Sequence, residues 1–148
     1  MTQTPDWQPV DDRFPRLYWR LDEAAYEAFG RFGTIHDVEA GETIFDEGTS
    51  SFSLFLVLDG EIVLSHQGRS LAKVGKNFSF GEMGMLLDRP RGGTAEATEQ
   101  SKLLELTRAD IQLMQEKDPI WSTRLYRVLA ECLAEYLQKA AQQGGQTD

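Results

Sequence analysis

The chain has 148 residues, 41% hydrophobic and 26% charged, which allows one domain with its own core and leaves little room for a second. A formal net charge of −9 argues against a nucleic-acid backbone or an anionic membrane surface as partner, because both need a basic face. The one cysteine, Cys132, can form no intrachain disulfide and cannot by itself build a cysteine-based metal or iron–sulfur site.

The N-terminus, Met1-Thr2-Gln3-Thr4-Pro5-Asp6-Trp7, is polar and has no apolar signal core, so a cytoplasmic protein is expected. Residues 1–16 read as an irregular arm with Trp7 and Phe14 as anchors. Leu17, Leu21, Ala24, Ala25, Ala28 and Phe29 recur at helical spacing, and Gly30 ends the run, which predicts a helix over 17–30. From Thr34 to Leu106 short apolar segments alternate with glycines. Candidate strands are 34–39, 42–46, 53–58, 61–66, 70–74, 94–98 and 102–106, with Asp59-Gly60 and Gln67-Gly68 as hairpin-type turns. The apolar run Leu54-Phe55-Leu56-Val57-Leu58 suits a buried strand and is too short to span a membrane. Short strands at such regular spacing suggest a barrel or a sandwich. The segment from Glu82 to Leu87 interrupts them as one short helix.

Two helices follow. Thr107-Arg108-Ala109-Asp110 resembles a capping box with Asp in place of Glu, and its helix ends near Lys117. Asp118-Pro119 then places a cap before a proline at the first helical position of a long helix, expected to run to about Gln142. Leu125, Leu129, Cys132 and Tyr136 form a stripe that Trp121, Val128 and Leu133 widen. The expected organisation is an arm (1–16), a β domain with its helices (17–117), a lid or dimerisation helix (118–142) and a disordered tail (143–148). The stripe can fold over the β domain or pair with a second copy, and its breadth favours a homodimer.

The most telling stretch is Phe80-Gly81-Glu82-Met83-Gly84-Met85-Leu86-Leu87-Asp88-Arg89-Pro90-Arg91-Gly92-Gly93-Thr94. A carboxylate and an arginine, flanked by glycines around a short apolar turn, suit a small anion that also carries a hydroxyl. Arg91 can offer two N–H donors to phosphate oxygens in fixed geometry. Glu82 can accept a hydroxyl proton, and glycines let backbone N–H groups approach closely. The plain alternative is that Glu82 and Arg91 form an ordinary salt bridge while the glycines serve turns.

This stretch resembles, nearly residue for residue, the phosphate-binding cassette of the cyclic-nucleotide-binding domain family. Ala40-Gly41-Glu42 through Gly48, Leu54 through Ile62, and Gly75-Lys76-Asn77-Phe78-Ser79 resemble the family's earlier strands and the turn feeding the cassette, so that the likeness covers roughly residues 20–140. It implies a mainly β fold: an eight-stranded double-stranded β-helix (jelly-roll) barrel with an N-terminal helix, a short cassette helix and a long C-terminal helix. It implies no catalysis and no cofactor, a cyclic-nucleotide ligand, and a site made of Phe80, Gly81, Glu82, Met83, Gly84, Arg91, Gly92 and Gly93. Glu82 would meet the ribose 2′-hydroxyl and Arg91 the cyclic phosphate. Gly92 has no hydroxyl for a guanine, which leans towards cAMP, with cGMP possible. Tyr136 falls near the family's base-contacting position on the long helix, although it equally fits the apolar stripe. No helix-turn-helix follows in this sequence, so signalling through a protein partner, not yet identified, is expected rather than through DNA. A scaffold that keeps the fold without the nucleotide is the alternative. A metal enzyme on a similar barrel needs clustered histidines and carboxylates, and His36 and His66 lie far apart and form no His-x-His pair.

Overall fold

The computed structural model describes residues 22–146; the arm expected over 1–16 lies outside them. In chain order they form α1 (Glu23–Gly30), β1 (Thr34–Val38), β2 (Thr43–Phe45), β3 (Ser53–Asp59), β4 (Ile62–His66), β5 (Arg69–Val74), β6 (Ser79–Phe80), α2 (Glu82–Leu87), β7 (Thr94–Ala97), β8 (Ser101–Thr107), α3 (Arg108–Lys117) and α4 (Pro119–Gln146). The first helix runs from Glu23 to Gly30; residues 17–21 of the helix expected over 17–30 lie outside the described residues. Asp22 is extended and its side chain accepts the Ala25 N–H at 3.0 Å, which caps the helix there. The expected capping box forms at the head of α3, Thr107 and Asp110 each accepting the other's backbone N–H. The long helix reaches Gln146, past the expected end near Gln142.

The strands form two antiparallel four-stranded sheets, ordered β1-β8-β3-β6 and β2-β7-β4-β5. The eight strands and their flanking helices agree with the expected jelly roll, built as two facing sheets; among the described strands no ladder joins one sheet to the other. The reason lies in the connections. The chain changes sheet at nearly every turn, so consecutive strands face each other across the core instead of pairing. Asp59-Gly60, expected as a hairpin turn, is one such crossing, entered through a register shift between Val57 and Asp59. Gln67-Gly68 is a true hairpin turn between β4 and β5, with φ of 51° and 79° at its two central residues, the sign that a type I′ turn requires. The two-residue β6 was not expected, because only its pairing of Phe55 with Phe80 and Leu56 with Ser79 marks it as a strand.

β3 explains its own unbroken apolar run. Phe55 and Val57 face the space between the sheets with Val38, Ile62, Val74, Phe80, Ala95, Ala97 and Leu103. Leu54 and Leu56 face the other way, with Leu104 and Leu106, onto a second core made by Ala25, Phe29, Ile111, Met114, Leu125, Val128, Leu129 and Cys132. A strand buried on both faces has no solvent face to alternate with. The α4 stripe is therefore taken up by the chain's own core. Leu125, Leu129 and Cys132 are buried there, and Trp121 meets Phe29 edge-on with ring centroids 5.7 Å apart. Those side chains fold over the sheet and do not stand free as a coiled-coil seam. Among the described residues no helix is long and apolar enough to cross a membrane.

Candidate functional site

β6 runs directly into α2 through Gly81, whose φ of 81° is left-handed and whose missing side chain makes room for Arg91. A Cβ on Gly81 would stand 2.7 Å from Arg91 Nη1, so glycine is required twice over. The sharp turn sends Glu82 inward. It is only 3% exposed, and Ser79 Oγ donates to its Oε2 at 3.0 Å. Burial pushes the Glu82 carboxyl above the ordinary carboxylate range, opposed by its own backbone N–H, the Ser79 hydroxyl and Arg91.

Arg91 is 6% exposed and is held from several sides. Its Nη1 donates to Gly81 O at 2.8 Å and its Nη2 to Ser53 O at 2.9 Å. Its guanidinium lies over the Phe45 ring, 4.0 Å from the centroid. Phe45, Phe55 and Phe80 form an aromatic floor, with Phe55 and Phe80 stacked at 5.1 Å. Burial pulls the Arg91 guanidinium down from its usual value, and Glu105 and then Glu82 pull it back up. Ser53 touches both groups, its carbonyl accepting from Arg91 and its Oγ donating to Glu105 Oε2 at 2.7 Å. Arg91 Nε is buried without an acceptor. No salt bridge joins Glu82 to Arg91, so the plain alternative of a mutual ion pair does not describe this site.

These groups line a cavity of about 690 Å³ between α2, the sheet β2-β7-β4-β5 and α4. The size falls within the ~300–1,000 Å³ typical of small-molecule sites. The structure brings all the residues singled out from the sequence onto this one cavity: Phe80, Gly81, Glu82, Met83, Gly84, Arg91, Gly92, Gly93 and Tyr136. Tyr136 takes its expected place in the apolar stripe and also lines the cavity. It packs against the helical-side core and its hydroxyl donates to Ser79 O at 2.8 Å, which ties α4 to the strand that feeds the cassette. Ser79 thus touches both Glu82 and Tyr136. Cys132 also lies against Ser79, and burial pushes its thiol up to about 11, so it is a packing group.

Sequence reasoning missed the far walls. Leu64, Leu71 and Lys73 come from the β4–β5 hairpin, and Leu133 and Lys139 from α4. On α4 a signal existed: Leu133, Tyr136 and Lys139 recur every three residues. On the hairpin none did, because only sheet pairing brings β4 beside β7. Leu137 is 72% exposed and faces away. Thr94 is also outside the cavity, its hydroxyl accepting the Glu47 N–H at 3.0 Å.

The two glycines after Arg91 differ. A Cβ on Gly93 would stand 2.5 Å from the Ser65 carbonyl oxygen, whereas around Gly92 nothing lies within 4 Å of one. Gly92 O lies 3.1 Å from His66 Nδ1, so the segment is anchored to β4 as well. Gly93→Ala is expected to destabilise the fold by about 1–3 kcal/mol, the usual cost of forcing extra volume into a packed contact. Gly92→Ala should be close to neutral. Paired denaturant titrations of the two variants check this; equal stabilities would contradict the close approach.

The family model of the cyclic nucleotide-binding domain matches residues 35–118. The cyclic AMP receptor protein of Thermus thermophilus is 35% identical over 100 residues, covering 64% of this chain and 46% of that one. The chain thus spans about half the length of that relative. Among solved structures, the N-terminal domain of a transcriptional regulator from Streptomyces coelicolor A3(2) is 29% identical with a TM-score of 0.63, over 78% of this chain and 86% of that one. A protein from a cyclic-GMP-dependent signalling pathway that regulates bacterial phytopathogenesis is 26% identical with a TM-score of 0.62, over 85% and 95% of the two chains.

Proposed function

Because the chain belongs to the cyclic nucleotide-binding domain family, we propose that it is a cyclic-nucleotide sensor. Its ligand enters the cavity beside α2, and α4 carries the response to a protein partner. The observation that carries this reading is the pair Glu82 and Arg91. Both are buried, neither is satisfied by the other, and both face one cavity. The orphaned Arg91 Nε is a donor that a ligand phosphate would satisfy, and leaving such a donor buried costs about 1–3 kcal/mol. Gly81 offers no side-chain cap, so the first-turn N–H groups of α2 are available to the same phosphate. Glu82 meets the ribose 2′-hydroxyl.

Between the two common bases, cAMP is the reading we prefer. Gly92 offers no hydroxyl to a guanine, and Thr94 has its own engaged elsewhere. The likeness to a protein of a cyclic-GMP-dependent pathway is what supports the other base. Calorimetric titration with cAMP and cGMP decides between them. Binding of neither would favour the nucleotide-free scaffold, for which one observation speaks: Arg91 already holds Gly81 and Ser53 within the chain.

Tyr136 is the route by which binding reaches α4, since its anchor, Ser79, also holds Glu82. Contacts made in one state only are what shift a two-state equilibrium. Tyr136→Phe removes one hydrogen bond worth about 0.5–1.5 kcal/mol and is expected to lower Tm by about 2–6 °C. It should also raise amide exchange in the part of α4 around it, with and without nucleotide. An unchanged exchange pattern in α4 would remove Tyr136 from the route.

A further inference from the structure

The cavity carries more positive charge than a cyclic mononucleotide can use. Its walls present four cations, Arg91, Arg89, Lys73 and Lys139, against one carboxylate, Glu82. This concentration occurs in a chain whose net charge is −9. The three outer cations come from separate parts of the fold: Lys73 from β5, Arg89 from the segment between α2 and β7, and Lys139 from α4. All three side chains are exposed, and none has an ion-pair or hydrogen-bond partner for its charged group among the described residues. A cyclic mononucleotide brings one negative charge, and Arg91 at the inner end meets it. Three like charges that line one cavity repel each other.

We infer that the mouth of the cavity is a second phosphate-binding point, and that the ligand class it serves is a nucleotide with two separated phosphates, a cyclic dinucleotide. This inference rests on the reading of Glu82 and Arg91 as a nucleotide site and extends it outward. One phosphodiester of the ring sits at Arg91 with its ribose hydroxyl at Glu82. The other lies at the mouth, where Arg89, Lys73 and Lys139 surround it from three elements. Apolar residues of the same lining, Leu64, Leu71 and Leu133, offer surface to the base faces. Because Lys139 sits on α4, one helical turn beyond Tyr136, the outer phosphate draws that helix onto the ligand. cAMP fills the inner half alone.

The test is calorimetric titration of the full chain with cAMP, cyclic di-GMP, cyclic di-AMP and ATP at two salt concentrations. It is repeated with the combined variant Lys73→Gln, Arg89→Gln, Lys139→Gln, and with Arg91→Ala. Three exposed charge contacts together are expected to give an effect of about three- to a hundredfold. One cyclic dinucleotide is expected to bind tighter than cAMP by that factor. That advantage should shrink at high salt and vanish in the triple variant, while Arg91→Ala weakens both ligands. Cyclic dinucleotides that bind no tighter than cAMP would overturn the inference and leave the cyclic-nucleotide reading standing. Equal losses for cAMP and the dinucleotide in the triple variant, carried in the association rate, would make the cations a steering ring and overturn it too. So would ATP matching the dinucleotide in affinity and in its dependence on the three cations, which would assign the mouth to a linear polyphosphate. Failure of every nucleotide, with the Tm of the protein unaltered by any of them, would overturn both this inference and the reading beneath it.

Discussion

Arg91→Ala is expected to lower affinity for a cyclic nucleotide by about ten- to a hundredfold, the worth of hydrogen bonds to a charged group at roughly 1.5–3 kcal/mol. The size follows from how Arg91 is held. Gly81 O and Ser53 O fix the two ends of the guanidinium, Phe45 fixes its plane, and Nε is left for an incoming anion. Such a donor is already oriented when the ligand arrives, so little ordering entropy is lost on binding. Arg91→Lys separates charge from geometry. A lysine keeps the positive charge but cannot hold two carbonyls and present a further donor in one plane, so it should recover only part of the affinity. Calorimetry on both variants, beside their thermal midpoints, provides the check. Wild-type affinity in a folded Arg91→Ala protein would remove Arg91 from the site.

Glu82→Gln is expected to act in opposite directions on stability and on binding. Glu82 is buried, and burial raises its pKa above the ordinary carboxylate range. The folded state therefore binds this proton more tightly than the unfolded state does. By linkage, the group favours folding at low pH, and its contribution falls as pH rises past the unfolded pKa and through the raised folded one. At neutral pH the buried carboxyl therefore costs stability that a glutamine would not. The ligand-free variant should then melt at a higher temperature than wild type, with the gap closing as pH falls into the ordinary carboxylate range. Binding should weaken by about five- to tenfold, because a hydroxyl donating to a carboxylate is replaced by one donating to an amide. The variant should also lose most of its preference for cAMP over 2′-deoxy-cAMP. A lower melting temperature at neutral pH would show that the Ser79 and backbone bonds to the carboxylate outweigh its burial. An undiminished preference for the 2′-hydroxyl would place that group elsewhere.

The two variants test different ends of the ligand, and their effects should not be independent. Ser79 supports Glu82, Ser53 supports Arg91, and β3 and β6, which carry those serines, pair through Phe55–Phe80 and Leu56–Ser79. Residues that share such a framework couple more strongly than distant ones.

The features legible in the residues alone are local. The glycine and acid of Gly81-Glu82, the Arg91 that follows, the capping box at Thr107 and the turn at Gln67-Gly68 are each settled within a few residues, where backbone geometry and hydrogen bonding act over short spans. Which separate segments meet is settled by the fold. Ser53 and Phe45, which position Arg91, lie far before it in the chain. The Ser79–Phe80 strand exists only because β3 pairs with it, and the outer wall from Lys73 to Lys139 depends on the hairpin and α4 closing over the same cavity. The division of the eight strands into two facing sheets was likewise set by the crossings between them. Periodicity reports which face of a strand is buried, but it carries no information about which strand lies opposite, and that choice is made by packing across the whole core.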